Sequence, residues 1–285
     1  MKFPAFSYAV PETVEQAVQL LAEDDDARPL AGGQTLLPIL ALRMSTPSCL
    51  VDLNSLSSLK EIELNGSVLR VGAMVTFDQF ARTSEFRSRY PLIYEAITHV
   101  AHMAVRNRGT IGGSLAYADA AAELPLVVCA LEATMIIARS AGERRVPAAD
   151  FFSGHFSTAI EGGELLTHIE FPEPQHSWAF EEVSRRPGDF ALVMAAAGVV
   201  MNGGKCRSAR IAIGSVADRP IRAPAAEEFL NDKAITPDIA VEASRIATED
   251  LKSHADIHAS AAYRRKVAGT LIKRALLRAA HGQKT

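Results

Sequence analysis

The sequence has few of the features that mark several common protein classes. Its only cysteines, Cys49, Cys129 and Cys206, lie far apart and form no CxxC pair, so neither a disulfide framework nor an iron–sulfur site is predicted. Sparse, unpaired cysteines are typical of a reducing compartment. The segment Met1 to Pro4 lacks the apolar core of a signal peptide. We therefore expect a cytoplasmic protein.

The chain also lacks an excess of charge of either sign and a long apolar run. Its formal net charge is −3, which gives no reason to expect nucleic acid or an anionic membrane as a partner. No stretch of about 18 uncharged apolar residues occurs, so no membrane span is expected. Apolar residues make up 48% of the 285 residues, which is enough for a full core in each of two domains.

Several catalytic and cofactor signatures are absent as well. Without a GxGxxG fingerprint or a Walker lysine, neither a Rossmann-type NAD site nor a P-loop is predicted. No HExxH or GxSxG motif occurs, which argues against a zinc hydrolase and a serine hydrolase. His99 and His102 lie one helical turn apart, but no third ligand is near in sequence, so we expect ordinary surface or interface histidines rather than a metal pair. No catalytic residue and no metal ligand is predicted.

The order of predicted elements indicates an α+β protein. Strands are predicted at 29–31, 50–53, 68–73, 134–139, 165–171, 179–185, 193–201 and 206–216, and helices at 14–21, 36–42, 92–105, 124–131, 223–230, 237–248 and 260–280. Thr13 and Thr76 each precede a capping glutamine, which predicts two helix starts. The segment Pro172-Glu173-Pro174 is typical of a linker. The predicted domains are therefore 1–174, divided near residue 55 into subdomains 1–55 and 56–174, and 175–285, a three-stranded sheet with helices.

Two diglycine segments stand out in what the sequence does contain. They are Ala31-Gly32-Gly33-Gln34-Thr35-Leu36 and Thr110-Ile111-Gly112-Gly113-Ser114. Glycine permits positive φ and a close backbone approach, and backbone N–H groups at nests and helix starts favour anions such as a pyrophosphate. Either segment alone fits an ordinary Gly-Gly turn. The two together, each at the end of a strand or helix, favour binding of FAD.

The two segments, with the residues around them, resemble a known family. Residues Ala31 to Pro38 and Val105 to Ala116 look like the two FAD signatures of the medium subunit of molybdenum hydroxylases, the xanthine dehydrogenase and carbon monoxide dehydrogenase family. The resemblance covers nearly the whole chain, including Pro4 to Tyr8 and Gly188 to Ala191, and is closest to N-heteroaromatic hydroxylases of the quinoline 2-oxidoreductase type. It implies a two-subdomain FAD-binding domain of the vanillyl-alcohol oxidase type, followed by a small C-terminal domain.

The resemblance also implies roles for individual residues. The two diglycine segments would hold the FAD pyrophosphate. Glu123 matches an acidic position that contacts the ribose or adenine side, and Asp119 is near enough in sequence to share that role. Ala101 falls where a helix lies against the flavin, Leu166 matches an apolar adenine contact, and Phe190 matches an aromatic position that packs on the isoalloxazine.

Some positions depart from the family pattern or have two interpretations. Many relatives have tyrosine at Phe190, some have lysine near Glu181 or Glu182, and histidine is common at Tyr117, so the tuning of the flavin potential is expected to differ. Two arginines flank the second diglycine segment and would either neutralise the pyrophosphate or pair with nearby carboxylates. The basic set of the last helix is expected to form a solvated face, with contact to a partner subunit as the alternative. The two flanking arginines are Arg106 and Arg108. The basic set of the last helix is Arg264, Arg265, Lys266, Lys273, Arg274 and Arg278.

The function implied by the resemblance is electron transfer within a heterotrimer. A small subunit with two [2Fe–2S] clusters and a large subunit with a molybdopterin cofactor would be the partners, and the heterotrimer is expected to dimerise. Electrons would pass from the clusters to FAD on this chain and then to an external acceptor, while an N-heteroaromatic or similar substrate is hydroxylated on the large subunit. The alternatives are a stand-alone FAD-dependent oxidoreductase of the same fold and a scaffold that has lost its flavin.

Overall fold

A computed structural model describes residues 2–282 of the chain. The strands are β1 (Ser7–Ala9), β2 (Arg28–Leu30), β3 (Cys49–Asp52), β4 (Ile62–Asn65), β5 (Val68–Gly72), β6 (Thr134–Arg139), β7 (Gly142–Pro147), β8 (Phe152–Gly154), β9 (Ser157–Thr158), β10 (Leu165–Phe171), β11 (Ser177–Ser184), β12 (Ala191–Asn202), β13 (Lys205–Gly214) and β14 (Ile221–Arg222). The helices are α1 (Val14–Glu23), α2 (Leu36–Ala41), α3 (Phe77–Arg82), α4 (Pro91–His99), α5 (Met103–Arg106), α6 (Ile111–Tyr117), α7 (Glu123–Ala130), α8 (Ala148–Phe151), α9 (Pro224–Leu230), α10 (Pro237–Glu249) and α11 (Ala261–His281).

The first part of the chain forms a small parallel sheet in the order β1-β3-β2. Helix α1 starts where the hydroxyl of Thr13 accepts a hydrogen bond from the Gln16 N–H at 3.2 Å. The helix buries Ala17, Val18 and Leu21 in a hydrophobic cluster that also contains Leu165 of β10. Helix α1 therefore packs the first part of the chain against the sheet to which β10 belongs. Helix α2 begins directly after the first diglycine segment, as predicted.

A five-stranded antiparallel sheet in the order β4-β5-β10-β6-β7 follows, packed against α4 and α7. The prediction of one continuous helix over 92–105 is wrong. Helix α4 ends at His99, and α5 begins at Met103 after a turn in which Ala101 has a φ of 39°. Apolar spacing continues through the turn because both helices contribute to the same core, so periodicity alone does not reveal the break.

The C-terminal part is an antiparallel sheet in the order β11-β12-β13-β14, covered on one face by α9 and α11, with α10 packed against these two helices. The three predicted strands are present, but the sheet has a fourth, because β14 pairs with β13. Gly203 and Gly204, both with positive φ, form the turn between β12 and β13. Strand β12 is buried on both sides. Val193 and Ala195 face α11, whereas Met194 and Ala196 belong to the cluster around α4 and α7.

The solvated-face interpretation of the last helix is wrong for Arg264, whereas Arg278 is exposed but engaged in ion pairs. Arg264 is only 2% exposed, and its guanidinium donates to the carbonyls of Leu192 and Ser215 and pairs with Asp256 at 2.6 Å. These partners offset the cost of burying the charge. Arg278 bridges Glu181 of β11 and Glu95 of α4, so it joins the two parts of the chain.

Candidate cofactor site

One cleft, with a volume of about 390 Å³, collects the residues singled out in the sequence. It is lined by parts of the small sheet, the five-stranded sheet and the turn between β11 and β12. The predicted cofactor residues that line it are Ala31, Gly32, Gly33, Gln34, Thr35, Leu36, Ala101, Thr110, Gly112, Gly113, Ser114, Asp119, Glu123, Leu166 and Phe190. Ile111 does not line the cleft, because its side chain is fully buried in the core.

The two diglycine segments are in direct contact at Gly32. A Cβ at that position would lie 2.0 Å from the carbonyl oxygen of Arg108, so only glycine fits. Gly33 has a φ of +72°, in the left-handed region that favours glycine. Within residues 2–282, the backbone N–H groups from Gly32 to Thr35 donate no hydrogen bond. A run of unpaired N–H groups beside a cleft is a chemical match for an anion.

The N–H groups of the second segment, by contrast, are already used. Those of Ile111 and Gly112 donate to the carbonyls of Val75 and Ala73, each at 2.9 Å. A Cβ at Gly112 would lie 2.6 Å from the Cα of Ala73, so this glycine allows α6 to pack against the backbone that follows β5. Gly112 therefore has a structural reason to be glycine that does not involve a ligand.

Gly113 and its neighbours face the cleft differently. The Gly113 N–H donates to the hydroxyl of Thr110 at 3.0 Å, which caps α6. A Cβ at position 113 would lie 2.8 Å from that hydroxyl and 3.5 Å from the Cβ of Ala31, between the two segments. The second segment thus offers the hydroxyls of Thr110 and Ser114 to the cleft, rather than the free N–H groups that the sequence suggested.

A buried carboxyl group lies in the cleft at the start of α7. Glu123 is 5% exposed, and burial, with the nearby carboxyl of Glu182 as a second cause, raises its pKa to about 8. Burial also raises the pKa of Glu182 to about 7, and its Oε2 atom is buried without a hydrogen-bond partner among residues 2–282. Asp119 accepts the Ala121 N–H at 2.9 Å and lines the same cleft.

The C-terminal part supplies the far wall of the cleft. Gly188, Asp189 and Phe190, between β11 and β12, line it together with the diglycine segments. Phe190 is 63% exposed. Gly188 packs against the turn that carries Ala101, so two elements distant in sequence form one wall.

Sequence reasoning missed other lining residues, which lie at strand ends and turns and carry no motif. Only the packing of the folded chain brings them to the cleft. They include Arg28, Leu53, Met74, Ile160, Glu164 and Leu165. The two flanking arginines do not pair with carboxylates within 4 Å in the described part of the chain; Arg106 instead donates to the carbonyls of Val100 and Ala101.

Comparison with known proteins agrees with this architecture. Residues 4–174 match the family described as the FAD binding domain in molybdopterin dehydrogenase. Residues 178–279 match the CO dehydrogenase flavoprotein C-terminal domain. The chain belongs to this flavoprotein family. It is an FAD-carrying subunit with a C-terminal domain of mixed strands and helices, and it is an oxidoreductase subunit of the molybdenum hydroxylases.

Relatives of known identity span nearly all of the chain. The nicotine 6-hydroxylase medium subunit of Paenarthrobacter nicotinovorans is 37% identical over 279 residues, 98% of this chain and 99% of the relative. The carbon monoxide dehydrogenase medium chain of Afipia carboxidovorans is 36% identical over 278 residues, 96% of each chain. The crystal structure of quinoline 2-oxidoreductase from Pseudomonas putida 86 superposes with a TM-score of 0.97 at 49% identity, covering 99% of both chains.

Two of these relatives are by name a medium subunit and a medium chain, and this chain matches them over nearly its whole length. They therefore support the subunit interpretation and not the stand-alone oxidoreductase. Within residues 2–282, no helix is both long enough and apolar enough to cross a bilayer. In the same range, no cluster of three or more histidine, cysteine or acidic side chains has metal-binding geometry. His99 packs against Phe180 with ring centroids 5.2 Å apart, and His102 lies in the turn after α4.

Proposed function

We propose that the cleft is the FAD site and that FAD there relays electrons between partner subunits and an external acceptor. The observation that carries the proposal is the placement of the unpaired N–H groups of Gly32 to Thr35 and the buried carboxyl of Glu123 in one cleft. Such N–H groups fit a pyrophosphate, and a carboxyl group fits the hydroxyls of a ribose, because its carbonyl oxygen accepts hydrogen bonds even when the group is protonated. When bound, the flavin ring supplies the ability to accept and release electrons.

Each part of the cleft then has a binding role. The first diglycine segment neutralises the pyrophosphate through its backbone, and the hydroxyls of Thr110 and Ser114 add donors across from it. Glu123 and Asp119 accept from ribose hydroxyls. The apolar side chain of Leu166, which is 3% exposed, covers the adenine.

The flavin end of the site is assigned to the far wall. Ala101 and Phe190 contact the isoalloxazine, and the exposed ring of Phe190 is available for stacking. Ile111 contributes by holding α6 on the core rather than by touching the cofactor. No residue acts as a nucleophile or as a general acid or base in this function, because binding and tuning of the cofactor suffice for electron relay.

The domain division proposed for this function places the boundary at 174/175. The segment Pro172-Glu173-Pro174 lies between β10 and β11, outside any strand or helix. The parallel sheet of the first 55 residues and the antiparallel sheet up to residue 174 support two subdomains of the vanillyl-alcohol oxidase type. Residues 175–285 form the C-terminal domain of the subunit.

The assembly proposed is a dimer of heterotrimers in the cytoplasm. A small subunit carries [2Fe–2S] clusters, and a large subunit carries the molybdopterin cofactor at which the substrate is hydroxylated. Relatives named for nicotine and quinoline, both N-heteroaromatic compounds, support a substrate of that class. The organic substrate does not enter the cleft of this chain.

Purification of the tagged chain with its natural partners tests the proposal. We expect an equimolar amount of FAD, and iron and molybdenum in the copurified subunits. Gly33→Ala should lower the FAD content, because position 33 is at the cleft and has positive φ. Gly66→Ala is the matched control, since Gly66 also has positive φ (+64°) but faces open space. A colourless protein that purifies without iron or molybdenum would contradict the proposal.

A further inference from the structure

The turn between α4 and α5 is held in an unusual conformation. Ala101 has a φ of 39°, in the left-handed region that alanine rarely adopts because its Cβ crowds the backbone. Ala101 and the preceding Val100 both line the cleft. A conformation of this kind persists only where the surroundings stabilise it, and such residues concentrate at ligand sites.

Arg106 supplies that stabilisation. Its Nη1 atom donates to the carbonyl oxygens of Val100 and Ala101, each at 2.9 Å. The backbone N–H of Arg106 bonds to the His102 carbonyl, so the side chain reaches back from α5 to the turn that precedes it. A half-buried cation that serves two backbone carbonyls fixes their direction.

The same turn determines where the C-terminal wall of the cleft lies. Gly188 packs so closely that a Cβ there would lie 2.9 Å from Nδ1 of His102 and 3.1 Å from the carbonyl carbon of Ala101. A change in the φ of Ala101 would move His102 and therefore displace Gly188. Phe190 lies two residues further along and would move with it.

We propose that Arg106 is a positioning residue for the cofactor, which acts by locking the Ala101 turn and, through it, the Gly188–Phe190 wall. The proposal rests on the assignment of the cleft as the FAD site. It differs from direct neutralisation of the pyrophosphate, because Nη1 donates to the two carbonyls and Arg106 is not one of the residues that line the cleft. Arg106 touches the backbone of the turn, and the turn forms the surface that the cofactor meets.

A rescue experiment on the full-length chain separates positioning from charge. In Arg106→Met, the turn should relax to negative φ, and we expect the Kd for FAD to rise about tenfold or more, as for loss of charged hydrogen bonds. In the double variant Arg106→Met with Ala101→Gly, glycine adopts the same φ without strain, so the Kd should lie within about threefold of that of Ala101→Gly alone. The flavin midpoint potential should change and recover in parallel.

Two further variants keep the test decisive. Ala101→Gly alone is the reference for the double variant, because it removes the same methyl group from the cleft while retaining Arg106. Ala101→Val, which retains Arg106 but adds a β-branched side chain at positive φ, should weaken binding even if Arg106→Met does not fold. Arg82→Met is the matched control, because Arg82 is an exposed arginine on α3 and should leave both Kd and potential unchanged.

The outcomes distinguish this inference from the assignment of the site. Wild-type affinity and potential in Arg106→Met would overturn the positioning role while leaving the cleft as the FAD site. A double variant as weak as Arg106→Met, together with a reduced salt dependence of binding in both, would show that Arg106 acts by charge on the phosphates and would also overturn it. A wild-type chain that binds no FAD in the cleft would overturn the proposed function itself.

Discussion

Gly188, in the turn between β11 and β12, lies directly against the ring of His102, in the turn between α4 and α5. A Cβ at position 188 would lie 2.7 Å from Cε1 of His102. The φ of Gly188 is +85°, so both its conformation and its surroundings require glycine. This contact closes the cleft between two parts of the chain that are far apart in sequence.

The first prediction concerns this contact. Gly188→Ala should push the β11–β12 turn away from His102, open the cleft and lower the affinity for FAD by about tenfold. Gly204→Ala introduces the same change at a positive φ of +79° with no atom within 4 Å, so it should affect stability slightly and FAD affinity not at all. Titration of the FAD-free protein by flavin fluorescence measures both. Equal affinities in the two variants would argue against a closed wall at Gly188.

The second prediction separates the two glycines of the α6 segment. Gly113→Val places its side chain between Thr110 and Ala31 and should yield a folded protein without flavin. Gly112→Val meets the backbone of Ala73 and should lower the melting temperature or prevent folding. FAD content per folded protein and thermal unfolding together report the difference. Normal FAD content in Gly113→Val would contradict the assignment of this segment to the cofactor.

The third prediction follows from the raised pKa of Glu123, about 8 in the folded protein. Because the folded state holds a proton that the unfolded chain releases near its ordinary pKa of 4.5, the FAD-free protein should lose stability as the pH rises from 5 to 8. The contribution of one such group is at most about 1.4 kcal/mol per pH unit. Glu123→Gln should flatten the profile, although the raised pKa of Glu182 leaves part of the slope.

Urea unfolding at several pH values measures this slope. Glu228→Gln provides the control, because Glu228 is exposed on α9 and its removal should leave the profile unchanged. A wild-type profile that stays flat between pH 5 and 8 would rule out a protonated carboxyl at position 123.

The fourth prediction concerns Phe190. Because its ring is largely exposed, Phe190→Ala should change the melting temperature by no more than about 2 °C. The variant should nevertheless bind FAD more weakly and shift the flavin potential. Phe3→Ala, which removes another exposed ring, should do neither. The placement of Phe190 against the flavin would be refuted by an unchanged affinity together with an unchanged potential.

Local signals in the sequence predict most of the elements. The caps at Thr13 and Thr76 start α1 and α3 as expected, because a hydroxyl three residues before an N–H is a purely local interaction. The break after His99 is not predictable in this way. It depends on a side chain of α5 that bonds backward to carbonyls, which an apolar pattern does not record. The burial of Arg264 is missed for the same reason, since its carbonyl partners lie at Leu192 and Ser215.

The candidate site shows a similar limit. The resemblance to flavoproteins selects residues from 31 to 190 that the fold brings to one cleft, although glycine patterns alone would not connect them. From the sequence, the two diglycine segments have the same predicted role. In the structure their chemistry differs. The carbonyls of Val75 and Ala73 accept hydrogen bonds from the N–H groups of Ile111 and Gly112 in the second segment. In the described chain, the N–H groups of the first segment donate no hydrogen bond. Which N–H groups are free depends on strand neighbours, and this information is not local.

The two family matches meet near residue 175, yet a single hydrophobic cluster extends across that point. It contains Trp178, Phe180 and Met194 together with the apolar residues of α4 and α7, and Gly214 lies where a Cβ would come 3.0 Å from Leu126. In a chimera that joined the first 174 residues to the C-terminal part of a distant relative, the apolar side chains from the two sources would have to fit together in this cluster. Substitutions at Leu126 and Gly214 are therefore expected to be coupled, so recombination at residue 175 should preserve stability only between genes that match at both positions.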